Sequence, residues 1–142
     1  MTTTLNKPDF VLETIIETSA ERVWEALTSA ELSRRYYIAA AAIHGRIVPG
    51  ERYEYVTPDG NVMLSGEIIA ADPPRRLEMT FVPGWGGPNP QPSRNVYELE
   101  TVGNATRLTI LHYDIPVGQD GVKDGWTAIA AALKAMLEDP AQ

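Results

Sequence analysis

Between residues 122 and 138 the apolar side chains return at intervals that suit one secondary structure. Val122, Trp126, Ile129, Leu133, Met136 and Leu137 stand four, three, four, three and one positions apart, the 3.6-residue period of a helix with a single apolar stripe. Gly125 and Ala132 flank the stripe on one side and Ala130 on the other, so a sheet could approach the helix backbone closely. Lys123, Thr127, Lys134 and Glu138 fall together on the polar side, with Lys134 and Glu138 four apart. Such a helix is stable only when a large apolar surface covers its stripe. The rest of the chain has to supply that surface.

Phe10 to Thr18 reads as a strand, with Phe10, Leu12 and Ile16 on one face and Val11, Glu13, Ile15 and Glu17 on the other. Thr18-Ser19-Ala20-Glu21 then fits a capping box, with Thr18 as N-cap and Glu21 three residues on. The helix it opens carries Val23, Trp24 and Leu27, and a second short helix is expected from about Ala30 to Tyr37. Beyond an alanine-rich stretch the period changes from 3.6 to 2. Strands are expected at Ile43–Val48, Arg52–Val56 and Val62–Ala71, the last two joined by the hairpin signal Pro58-Asp59-Gly60. Leu77, Met79 and Phe81 alternate with Glu78 and Thr80, and Tyr97 and Leu99 alternate with Glu98 and Glu100, giving strands with one dry and one wet face. Leu108, Ile110 and His112 share a face of the last strand.

Helices and strands thus come in blocks rather than in alternation, which indicates an α+β fold. At 142 residues one domain is expected, with its ordered core over about residues 9–139. The sheet of six or seven antiparallel strands provides the dry face that the final helix needs. One long irregular segment interrupts it, Pro83 to Ser93, with three Gly, four Pro and Trp85. Such a segment inside a compact domain suggests a functional lid or a disordered loop.

Composition narrows the function. A net charge of −7, with no basic run longer than Arg34-Arg35 or Arg75-Arg76, argues against nucleic acid as a partner. Without cysteine there is no disulfide framework, thiolate nucleophile or thiolate zinc site. No apolar h-region and no span long enough to cross a bilayer is visible, so the cytoplasm is the expected location. Only His44 and His112 could ligate a metal through imidazole, neither with a carboxylate at ligand spacing, and no cofactor is expected. Ser19 and Ser29 read as capping or turn residues, and no serine lies in a nucleophile elbow. Gly84-Trp85-Gly86-Gly87 runs into prolines, unlike a phosphate-cradling loop.

Two sets of residues invite a functional reading. If Leu108 and Ile110 face the interior, so does His112, whose imidazole could orient a polar ligand group or transfer a proton. The plainer alternative is a buried histidine bonded to a neighbouring strand or to Tyr113. Tyr36, Tyr37, Tyr53, Tyr55, Tyr97 and Trp85 could line a cavity mouth, being apolar bodies with polar tips. The plainer alternative, favoured for any one of them, is the core of a small sheet, the role assigned to Trp24 and Trp126.

The segment Ser19-Ala20-Glu21-Arg22-Val23-Trp24-Glu25-Ala26-Leu27-Thr28-Ser29-Ala30-Glu31-Leu32 resembles the opening signature of the SRPBCC, or START-like, superfamily. The branch it is most similar to is named after the activator of the heat-shock-protein-90 ATPase. Pro49-Gly50, Asp72-Pro73-Pro74-Arg75-Arg76-Leu77, Ala105-Thr106-Arg107-Leu108-Thr109 and Gly125-Trp126-x-x-Ile129 agree with it in order. The resemblance implies a helix-grip fold, a curved antiparallel sheet wrapped around the C-terminal helix with a cavity between them. Candidate cavity residues are then His112, the five tyrosines above, Trp85, and Met79, Phe81 and Ile110 from the sheet. The helix adds Trp126, Ile129 and Leu133.

Three functions follow from that cavity and that family. The first is a binding protein holding a small apolar or amphipathic molecule. The second is a co-chaperone-like module of the stress response with a chaperone as partner. The third is a cyclase-like or hydrolase-like enzyme using the same cavity. The sequence offers cavity walls and a lid candidate but no complete catalytic set, which favours the first. The ligand and the oligomeric state are not legible in it.

Overall fold

The computed structural model describes residues 7–84, 92–119 and 121–139. Chain order is β1 (Phe10–Ile16), α1 (Ala20–Thr28), α2 (Ala30–Ser33), a 3-10 turn (Ile38–Ala40), β2 (Ala42–Gly45), β3 (Arg52–Val56), β4 (Val62–Asp72), β5 (Arg76–Pro83), β6 (Ser93–Val102), β7 (Ala105–Tyr113) and α3 (Gly121–Glu138). The described strands form one antiparallel sheet in the order β1-β7-β6-β5-β4-β3-β2. From β2 to β7 each strand pairs with the next, and only β1 closes at a distance, Phe10 opposite His112.

The expected alternation decides which face is dry. Leu77, Met79 and Phe81 are buried, as are Ser93, Asn95, Tyr97 and Leu99 on β6 and Leu108, Ile110 and His112 on β7. On the wet face charges pair along and across strands. Arg76 and Arg94 both reach Glu78, at 3.0 and 2.9 Å, and the Arg94 guanidinium lies 3.9 Å from the Tyr113 ring centre. The dry face receives α3 through Val122, Trp126, Ile129, Ala130, Leu133 and Leu137. At the other end of α3, Lys134 binds the Ile15 carbonyl and Glu138, and Glu138 accepts the Glu17 N–H at 2.9 Å. The helix therefore grips β1 as well as lying on the sheet.

Three expectations change. The N-cap of α1 is Ser19, whose Oγ accepts the Arg22 N–H, and not Thr18. Thr18 is buried and its carbonyl accepts the Thr106 hydroxyl at 2.8 Å, so it still belongs to the path of β1. The second helix is one turn, not a helix to Tyr37. Its successor residues are drawn inward: the Tyr36 hydroxyl donates to the Ala26 carbonyl at 2.7 Å, and Tyr37 stacks on Tyr55. Finally β2 stops at Gly45, short of Val48. Gly45 has φ +134, and a Cβ there would meet the Arg52 carbonyl at 2.5 Å, so the strand bends away where only glycine fits.

The cap offers a simple check. Ser19→Ala should lower stability by about 1 kcal/mol, the usual loss of a helix-capping oxygen. Thr18→Ala should instead leave the cap in place. A denaturation midpoint unmoved by Ser19→Ala would mean that another group satisfies the Arg22 N–H.

Candidate ligand-binding pocket

Where the sheet curves away from the N-terminal half of α3, the two surfaces part. The gap is a pocket of about 290 Å³, lined by Tyr37, Ile38, Met63, Leu64, Phe81, Gly121, Val122, Gly125, Trp126 and Ile129. Phe81 comes from β5, Met63 and Leu64 from β4, and Tyr37 and Ile38 from the turn before β2. Gly121 and Gly125 line it on the helix side, and among the described residues nothing lies within 4 Å of a Cβ built on either. Larger residues there would fill the space. The lining is apolar apart from two polar tips, the Tyr37 hydroxyl and the Trp126 indole N–H, and the second of these points elsewhere.

The indole donates to His112 Nδ1 at 2.8 Å. His112 Nε2 lies 2.7 Å from Ser93 Oγ, which in turn reaches the Phe81 carbonyl at 3.3 Å. An Nδ1 that accepts leaves the proton on Nε2, so His112 donates to Ser93 and Ser93 to the carbonyl. Every donor in that relay has an acceptor, and His112 has no spare position for a ligand. It is fully buried, and burial lowers its pKa to about 4, a shift that the carboxylate of Asp9 opposes. The imidazole is therefore neutral near pH 7 and ties β7 to β6 and α3. Tyr113 is not its partner.

The residues expected to form the cavity divide in two. Tyr37, Phe81, Trp126 and Ile129 line the pocket. Tyr36, Tyr53, Tyr55, Tyr97, Met79, Ile110, Leu133 and His112 are buried but lie outside the lining, in the core behind it. Trp85, with residues 85–91 of the expected lid, lies outside the described residues. Its described ends, Pro83 and Ser93, close β5 and open β6. Four of the tyrosines form one aromatic body: Tyr36 meets Tyr37 edge-on at 6.3 Å, Tyr37 and Tyr55 stack at 3.9 Å, and Tyr53 meets Tyr55 edge-on at 6.0 Å, its hydroxyl donating to the Thr80 carbonyl at 2.6 Å, while Tyr97 packs on Trp126. Burial pushes all their phenols up, so they are neutral. Ile38, Met63, Leu64, Val122 and the two glycines are lining residues that the sequence reading did not single out as such. Val122 and Gly125 were already on or beside the helical stripe, but nothing local distinguishes a stripe residue facing a gap from one facing the sheet.

With this geometry in view, the description "Activator of Hsp90 ATPase homolog 1-like protein" fits a family model that matches residues 17–138. The chain belongs to that family. Among solved structures, protein MLL2253 of Mesorhizobium loti superimposes with a TM-score of 0.78 at 23% identity, covering 92% of this chain and 97% of its own. CalU16 of Micromonospora echinospora gives 0.72 at 23% identity, over 92% of this chain and 76% of that one. The Aha1 dimer of Colwellia psychrerythraea gives 0.72 at 20%, over 91% and 95%. At these identities the likeness is one of fold, and it is the helix-grip fold of the activator-homologue family. Among curated proteins nothing matches the chain. No helix among the described residues is long and apolar enough to cross a membrane.

Proposed function

We propose that this activator-homologue domain holds a small, largely apolar molecule between its sheet and α3. The observation that carries the reading is the pocket itself, walled by Phe81, Leu64, Val122, Trp126 and Ile129 and bordered by two helical glycines. Apolar surface left uncovered beside a packed core is costly, and a ligand that covers it recovers the hydrophobic term. Catalysis has less support, because the one interior imidazole is saturated by Trp126 and Ser93.

Native mass spectrometry of freshly purified protein should show a bound small molecule. The neutral dye N-phenyl-1-naphthylamine should brighten on entering the empty pocket. Gly125→Leu should reduce that uptake about tenfold or more by filling the space with a side chain. It should also stabilise the fold by about 0.5–1 kcal/mol, because it replaces a mid-helix glycine. Equal dye uptake by both forms would place any binding elsewhere and sink the reading.

The family's description favours a second reading, an activating contact with Hsp90. Stimulation of the Hsp90 ATPase by this chain, undiminished in Gly125→Leu, would put such a contact outside the pocket and make it the primary function.

A further inference from the structure

Beneath the pocket's floor lies a polar group with no partner among the described residues. Asn95 is 1% exposed, yet neither its Oδ1 nor its Nδ2 is hydrogen-bonded. Buried amides are almost always paired, and leaving both ends unpaired costs stability that an apolar residue of like size would not. Its two cross-strand partners do not pair it. In the sheet it stands between Met79 on β5 and His112 on β7. His112 is already saturated.

Ring distances locate Trp126 relative to this part of the sheet. Trp126 has its ring centre 6.0 Å from His112, 5.8 Å from Tyr97 and 6.2 Å from Phe81. Those three residues surround Asn95: His112 lies directly across, Tyr97 two residues along β6, and Phe81 two residues past Met79 on β5. The indole that forms the pocket's floor therefore stands over the amide, held there by its bond to His112.

Taking the pocket as a ligand site, as proposed above, we infer that Asn95 is its polar recognition point. It receives a neutral head group carrying both a donor and an acceptor, of the carboxamide kind, when Trp126 swings aside. A carboxamide would donate to Oδ1 and accept from Nδ2, pairing both orphaned ends at once. The swing gives up the indole bond but frees His112 Nδ1 as a further acceptor. The head group is neutral because, among the described residues, no Lys, Arg, Asp or Glu is buried to balance a charge. The retained cost of Asn95 is then the mark of a group kept for binding rather than for folding.

Two probes of the same ring system separate the possibilities, 2-naphthamide and 2-methylnaphthalene, titrated into the full chain and its Asn95→Leu variant. Wild type should bind the amide about tenfold more tightly than the variant does, the worth of a hydrogen-bonded pair in a buried site. Both forms should bind the hydrocarbon alike, and the variant should melt at a higher temperature. In wild type alone, NMR should show the Asn95 side-chain amide and the Trp126 indole N–H moving with 2-naphthamide and not with 2-methylnaphthalene, which keeps the test standing if the variant does not fold. Equal amide affinity in the two forms, or an unmoved Asn95 signal in bound wild type, overturns the assignment while leaving the pocket a binding site. Failure of both probes to bind wild type overturns the pocket reading and this one with it.

Discussion

Trp126→Ala is expected to cost the fold about 3–5 kcal/mol, the range for emptying a large aromatic site in a core. The indole is 2% exposed and packs on Phe81, Tyr97 and His112 at once. Its removal also leaves His112 Nδ1 buried without its donor. Against a typical total of about 5–15 kcal/mol, that leaves the domain close to its unfolding threshold. Trp126→Phe separates the two contributions, since it keeps most of the ring and deletes the N–H; a loss of about 1–2 kcal/mol is expected from the missing bond and the smaller volume. A urea midpoint for Trp126→Ala equal to that of wild type would show that α3 does not organise the core.

The second large effect is one of pH. Folding lowers the pKa of His112 from 6.5 to about 4, chiefly because burial penalises the imidazolium. Between those values the unfolded chain takes up a proton that the folded one refuses. The stabilisation is therefore complete above pH 6.5, falls as the pH drops, and is gone below about 4. Its size is roughly 3 kcal/mol, since each tenfold change in proton affinity is worth about 1.4 kcal/mol. His112→Phe removes this linkage, so its stability should vary less over that window while lying lower near pH 7, because the Trp126 N–H loses its acceptor. Parallel pH profiles for the two proteins would refute the neutral, saturated state of His112.

How much of this was readable beforehand depends on distance along the chain. The stripe from Val122 to Leu137 predicts α3 almost to its ends, because a helix's period is a local property and one face meets one surface. The dry and wet alternation of β5 and β7 is legible for the same reason. Local rules could not choose between Thr18 and Ser19 as the cap, since both suit the position; Ser19 Oγ takes the Arg22 N–H while Thr18 Oγ1 accepts the Arg22 guanidinium. Nor could they foresee that Tyr36 and Tyr37 would be pulled out of a helix by Ala26 and Tyr55. The saturation of His112 comes from two residues on other elements, Ser93 and Trp126. Asn95 did leave a trace. Carrying the alternation of Tyr97 and Leu99 back along the strand places a polar residue at an inward position, and inward polar residues need a reason.

The closure of the sheet also has a consequence in time. Every described neighbour from β2 to β7 is next in the chain, so those strands can zip together in sequence, but Phe10 waits for His112 and the Glu17 N–H is held by Glu138 across 121 positions. On a ribosome β1 would leave the tunnel first and pair last. Until β7 followed, β1 would stand loose as an unpaired ribbon, and until α3 followed, the sheet would show its dry face to water. Distant pairings of this kind slow folding and lengthen the exposure of sticky intermediates. The lock between Lys134, Glu138 and β1 is then a clasp that shuts only when the last helix arrives.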